Sequence, residues 1–203
     1  MKSKNVVGSW SMIVLCGLST FGCAEKPMST IDSATQALQE ARQAGANDYA
    51  PQTFRQAENA FQKAQEELAI QESKFALLRD YDEVQGLLVT VNMEAAKAKS
   101  EALTNKELFR QEAQTAMNMA KGRIEEARVI LTQAPMGKGS QADLQALKGD
   151  LKTAESMIPD LETAMVKEDF LGAKAKAQAI ESLATRVHDE VAHALQKTGK
   201  AKA

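Results

Sequence analysis

Beyond residue 30 the apolar residues of this chain return at alternating steps of three and four. The first run reads Ile31, Ala34, Leu38, Ala41 and stops at Gly45, a residue that ends helices because it takes a left-handed conformation without steric cost. The second reads Phe54, Ala57, Phe61, Ala64, Leu68, Gln71, Phe75, Leu78. The third runs from Val84 through Leu88, Val91, Ala95, Ala98, Ala102, Asn105 and Phe109 to Ala113, Ala120, Ile124 and Leu131. A fourth spans Leu144 to Met165 and a fifth Phe170 to Ala194. No run alternates with period two, so no strand is expected. A repeat of seven keeps one narrow apolar stripe facing a neighbouring helix, and none of these helices hides its stripe alone. The fold class that follows is all-α: an elongated helical bundle of antiparallel coiled-coil hairpins. The third helix, unbroken, is ~70 Å long. Its seam is mostly alanine, which lets neighbouring backbones approach closely and buries little apolar area per turn.

The boundaries carry their own chemistry. Pro51 suits the first position of helix two, where no backbone N–H is needed. Tyr49 and Phe54 then have the spacing of a hydrophobic staple. Asp80, with Glu83 three residues on, is close to a capping box that opens helix three at Tyr81. The stretch APMGKGSQ, residues 134–141, separates helices three and four, and Pro159 is expected to kink or interrupt helix four.

Two parts of the chain are alike. Phe54, Ala57, Phe61, Ala64 and Leu68 align with Leu144, Leu147, Leu151, Ala154 and Ile158, and Asp80-Tyr81 aligns one residue out of step with Asp169-Phe170. Duplication would give two three-helix modules joined through helix three. Chance alignment of two heptad patterns is the competing explanation.

The first 27 residues break the pattern. Lys2 and Lys4 precede 17 residues, Val6 to Gly22, that carry no charged side chain. That run is short for a span of the bilayer, which takes ~20 apolar residues, and it has the order of a secretory signal. Ser19, Thr20, Phe21, Gly22 and Cys23 resemble the lipobox of bacterial lipoproteins, with Thr20 where leucine is usual. The resemblance implies cleavage after residue 22, acylation of Cys23 and a chain held on a membrane by its N-terminal lipid. Ala24, rather than aspartate, follows the cysteine, which resembles the sorting pattern of outer-membrane lipoproteins facing the periplasm. Cys16 leaves with the signal, so the mature chain has no free thiol.

Composition then narrows the function classes. Without residues 1–22 the chain keeps 23 basic and 27 acidic side chains, since only two lysines leave. That mild acidity argues against a nucleic-acid partner, which calls for clustered positive charge. Abundant Ala, Gln, Glu, Lys and Leu match a long-helix protein better than a compact enzyme.

Residues 41–68, ARQAGANDYAPQTFRQAENAFQKAQEEL, resemble the alanine-rich helical module of unknown function found in bacterial envelope lipoproteins. Ala44, Tyr49, Ala50, Pro51, Ala57 and Ala64 carry the likeness, which covers residues 30–100. In relatives the module often precedes an OmpA-like peptidoglycan-binding domain. Nothing after residue 100 resembles that domain, so contact with peptidoglycan is left open. The resemblance implies an envelope location and no activity.

The division that follows is a signal over residues 1–22, a lipidated linker over 23–29, helical modules over 30–103 and 104–197, and a basic tail over 198–203. Candidate chemistry is sparse. His188 and His193 lie five apart, a spacing that points them to different helix faces. Glu190 and His193 have the E-x-x-H spacing of di-iron bundles, but such a site needs a second copy and the chain has two histidines in all. No phosphate loop, nucleophile elbow or cysteine cluster is present, so no catalytic residue, metal ligand or cofactor is assigned. The expectation is a non-enzymatic structural or adaptor lipoprotein that works through an envelope protein partner. Self-association is included, because Leu87, Ala96, Leu103, Leu108, Ile130 and Leu183 broaden the stripes. The alternative is a periplasmic carrier that holds a ligand or metal inside the bundle.

Overall fold

Helices form where the seven-residue pattern places them. The computed structural model describes residues 25–135 and 141–200, with backbone alone for 198–200. Cys23, the linker's first residues and the last residues of the basic tail lie outside the described residues. The elements are α1 (Met28–Gln43), α2 (Ala46–Tyr49), α3 (Pro51–Ser73), a 3-10 turn (Ala76–Leu78), α4 (Asp82–Thr132), α5 (Gln141–Ser156), α6 (Ile158–Val166) and α7 (Phe170–Lys200). No strand occurs among the described residues. No helix among them is long and apolar enough to cross a membrane.

The 51-residue α4 is the axis of the molecule, ~76 Å long at 1.5 Å per residue. Helices α1, α2 and α3 pack on its first half, and α5, α6 and α7 on its second. Cross-helix ion pairs and hydrogen bonds fix the directions. Lys99 meets Glu40, and Ser33 meets Asn92, so α1 runs parallel to α4. Lys106 meets Glu168 and Lys174 meets Glu112, so α7 runs parallel to α4 as well. Arg128–Glu155 and Lys121–Glu162 set α5 and α6 antiparallel to it. Each half is therefore an up-down-up unit of three helices, and α4 belongs to both.

The two halves bury corresponding positions. Ala34, Leu38 and Ala41 of α1 correspond to Ala120, Ile124 and Ala127 of α4. Val84, Leu88, Val91, Ala95, Ala98 and Ala102 of α4 correspond to Ala173, Ala177, Ile180, Ala184, Val187 and Val191 of α7, one for one and all buried. Heptad spacing within each helix, rather than contact across the whole molecule, makes this register. Among these positions alanine recurs, and eight alanines of α4 and α7 are wholly buried beside the larger Leu88 and Ile180.

Two boundaries differ from the periodicity. The second run predicts a helix through Phe75 and Leu78, but α3 ends at Ser73 and both side chains lie about 70% exposed. Polar bonds win there. Gln71 is buried, and its side-chain oxygen accepts from the Asp80 N–H at 3.0 Å and from Lys74 Nζ at 3.0 Å. The Arg79 guanidinium donates to the carbonyls of Lys74 and Glu72. These bonds close a turn that a longer helix would abolish. At the start of α4 the capping residue is Tyr81 rather than Asp80, and Asp80 Oδ1 accepts instead from the N–H of Asp82. Glu83 lies in the first turn, where a negative charge suits the helix dipole. Pro159 has the effect its missing N–H requires: α5 and α6 part at Met157, two residues before it.

Candidate functional site

The middle of the molecule is the place where side chains from distant segments converge. Gly45 ends α1 with φ +84°, the left-handed conformation that glycine takes freely, and its N–H bonds to the Arg42 carbonyl. The four-residue α2 that follows turns the chain and delivers Tyr49 to the interface of the two halves. The Tyr49 ring is buried and lies 5.8 Å from the ring of Phe109 on α4. Its hydroxyl donates to the Glu168 carbonyl at 3.0 Å. Its own carbonyl accepts from Asn105 Nδ2 at 2.6 Å. Asn105, one of the two polar interruptions of the seams, thus satisfies a main-chain group at a chain reversal, as Gln71 does at the other.

Glu168 has φ +58°, unusual for a residue with a side chain. It closes a Schellman motif at the end of α6. The Glu168 N–H bonds to the Met165 carbonyl, and the Asp169 N–H to the Ala164 carbonyl. Glycine is usual at that position. Here the strain is held by two partners, the Tyr49 hydroxyl on the carbonyl and Lys106 on the side chain, and the next residue, Asp169, accepts the Gly172 N–H on its Oδ1 as α7 begins. Phe170 is buried at the head of α7, and Tyr81 is buried at the head of α4. Pro51 is the first residue of α3, and Phe54, 1% exposed, is among its largest core side chains. The residues singled out from the sequence thus fall in two places: Tyr49, Pro51, Phe54, Asp169 and Phe170 around the junction, and Asp80 and Tyr81 at the far end of the first half.

Nearby, Lys174 ties the junction together by lying 5.8 Å from the Phe109 ring centroid while pairing with Glu112. Sequence reasoning assigned Glu168, Lys106 and Lys174 no role. Their sequence signal is an absent glycine after α6, and a charged residue there reads as ordinary solvated surface.

Elsewhere the chemistry is that of a helical surface. Open grooves run between neighbouring helices; one of about 830 Å³ between α1 and α3 is lined by Leu38, Phe61 and the Arg42–Glu58 ion pair. His188 is half-buried against Asp189, 3.0 Å away, whereas His193 is exposed. Among the described residues no cluster of three or more His, Cys, Asp or Glu side chains is placed to hold a metal ion. Glu94 Oε2 is buried without a hydrogen-bond partner. Two carboxylates are perturbed. Arg110, and then Gln111, hold Glu107 down at about 2, and Lys99, and then Gln36, lower Glu40.

A second apolar stripe lies on the outside of α4. Val89, Met93, Ala96 and Leu103, interrupted by the polar Ser100, recur at steps of four and three, and all are exposed. Val89, Met93 and Leu103 are each more than half exposed. This stripe repeats the spacing of the buried seams and has no helix of the described residues over it. Comparison with known family models, with curated proteins and with solved structures finds no match to this chain.

Proposed function

We propose that this protein is a lipid-anchored adaptor of the bacterial cell envelope, attached to the outer membrane through Cys23 and facing the periplasm. It acts by presenting a rigid helical rod to another envelope protein, without catalysis. The observation that carries the reading is the outer stripe of α4. Val89, Met93, Ala96 and Leu103, left in solvent at heptad spacing on the first half of α4, form the kind of surface a further helix packs against. A rod suits reach better than chemistry. The alanine-seamed halves keep it thin, and α4 runs through both of them.

A photo-crosslinking amino acid in place of Met93, in cells that make the protein, tests this. The expected result is one crosslinked envelope protein, lost when Val89 and Leu103 are changed to serine together with the crosslinker kept at position 93. Recovery of the uncrosslinked protein alone would count against an adaptor, and a crosslinked homodimer would make self-association the function of the stripe. Intact-mass analysis of the purified protein tests the anchor separately, through the acyl mass on Cys23.

A further inference from the structure

The end of the rod nearest the proposed anchor carries apolar side chains that the fold does not use. Phe75, Leu77 and Leu78 lie in the turn between α3 and α4 and are 70%, 69% and 71% exposed. Ile70 at the end of α3 and Met28 at the start of α1, each 52% exposed, belong to the same end of the bundle. The turn is nonetheless held in one shape by Gln71, Lys74 and Arg79 through bonds to each other and to main-chain groups. A turn secured by polar bonds, with its large apolar side chains directed outward, is a built surface rather than a failed piece of core.

The chain enters beside this tip. Lys26 Nζ pairs with Glu72 Oε1 at 2.6 Å, which fixes the first described residues against the end of α3. Cys23 precedes Lys26 by three residues, so their Cα atoms are at most ~11 Å apart even with the chain fully extended. An acyl group on Cys23 therefore brings residues 75–78 to the membrane surface.

We infer that Phe75, Leu77 and Leu78 enter the headgroup–acyl boundary of the bilayer that holds the lipid anchor, and so stand the rod upon it. The inference rests on the anchored reading above. The tether supplies the local concentration, so a few side chains suffice where an untethered tip would bind weakly. Lys74 and Arg79 flank the apolar residues and place cations at headgroup level.

The experiment uses the protein purified from membranes and reconstituted in vesicles of phosphatidylethanolamine and phosphatidylglycerol. Phe75→Trp is compared with Val166→Trp, a position 84% exposed near the middle of the rod. Both sites are exposed, so both variants keep the core. Doxyl-labelled lipid is expected to quench the indole of Phe75→Trp at least about threefold more than that of Val166→Trp, with blue-shifted emission, as for a side chain buried ~5–10 Å into the interface. An acylated, vesicle-bound Phe75→Trp protein whose indole emits as in water overturns the inference and leaves the anchor standing. A blue shift without lipid quenching assigns the tip to a protein contact and also overturns it. An unmodified Cys23 overturns both readings, because it removes the proximity that joins them.

Discussion

The hydroxyl of Tyr49 donates to the main-chain carbonyl of Glu168, 3.0 Å away in space and 119 positions away in sequence. This bond links the two halves of the rod at the point where α1 ends and α7 begins. One partner sits behind a left-handed glycine, and the other is itself left-handed. Removing the hydroxyl while keeping the ring should therefore loosen the joint more than the core. Tyr49→Phe is expected to lower unfolding free energy by about 1 kcal/mol. Tyr49→Ala, which also loses the contact with Phe109, is expected to cost roughly 3–5 kcal/mol. Urea unfolding measures both, and amide exchange at Glu168 and Asp169 should rise in the Phe variant. Unchanged exchange there would show that the bond does not couple the halves.

Glu168 occupies a glycine's place because Lys106 and Tyr49 hold it there. With the ion pair already removed by Lys106→Ala, a further Glu168→Gly change is expected to raise stability by about 0.5–1 kcal/mol, through relief of the left-handed strain. In the presence of Lys106 the gain is smaller, since the glycine also forfeits the ion pair. Denaturant midpoints of the native protein, the two single variants and the double variant form a complete cycle.

Gly45 has the opposite constraint. A Cβ there would sit 3.0 Å from Tyr49 Cδ2 and 3.4 Å from Cε2, at φ +84°. Gly45→Ala is expected to destabilise by about 1–2 kcal/mol. Its signature beyond the loss of stability is a shifted ring resonance for Tyr49.

The alanine seam sets the distance between helices. Ala98 is wholly buried on α4, with α1 and α3 packed against that half of the helix. Ala98→Leu is expected to cost roughly 1–3 kcal/mol by overpacking, despite its added apolar area. Thermal unfolding checks the sign, and a stabilised variant would mean the seam has room to spare.

Glu107 offers a test in pH. Its carboxylate accepts two bonds from Arg110 and one from Gln111, and is held at about 2 against an ordinary 4.5. A depressed carboxyl contributes stability that is fully present above 4.5 and lost as pH falls through about 2. Because the pair is exposed on the surface, salt weakens the effect. Carbon-detected titration of Glu107 is expected to move up toward 4.5 in Arg110→Gln.

The helices and their buried faces were legible in the chain before any packing was known. Ala34, Leu88, Ala102, Ile124, Leu161 and Ile180 are inside because heptad spacing is a local property, readable one turn at a time. The stops at Gly45 and Pro159 were legible too, since one residue's backbone chemistry suffices at each. Three features came instead from specific polar bonds that leave no periodic mark in the chain. Helix α3 ends before Phe75, since the bonds from Gln71 and Arg79 that close the turn join residues up to nine positions apart. Glu168 is left-handed without being glycine, since the residues that hold it come from α2 and α4. And Tyr49 reaches across the joint rather than merely lying beside its own helix, because the partners of a long-range hydrogen bond leave no period in the chain.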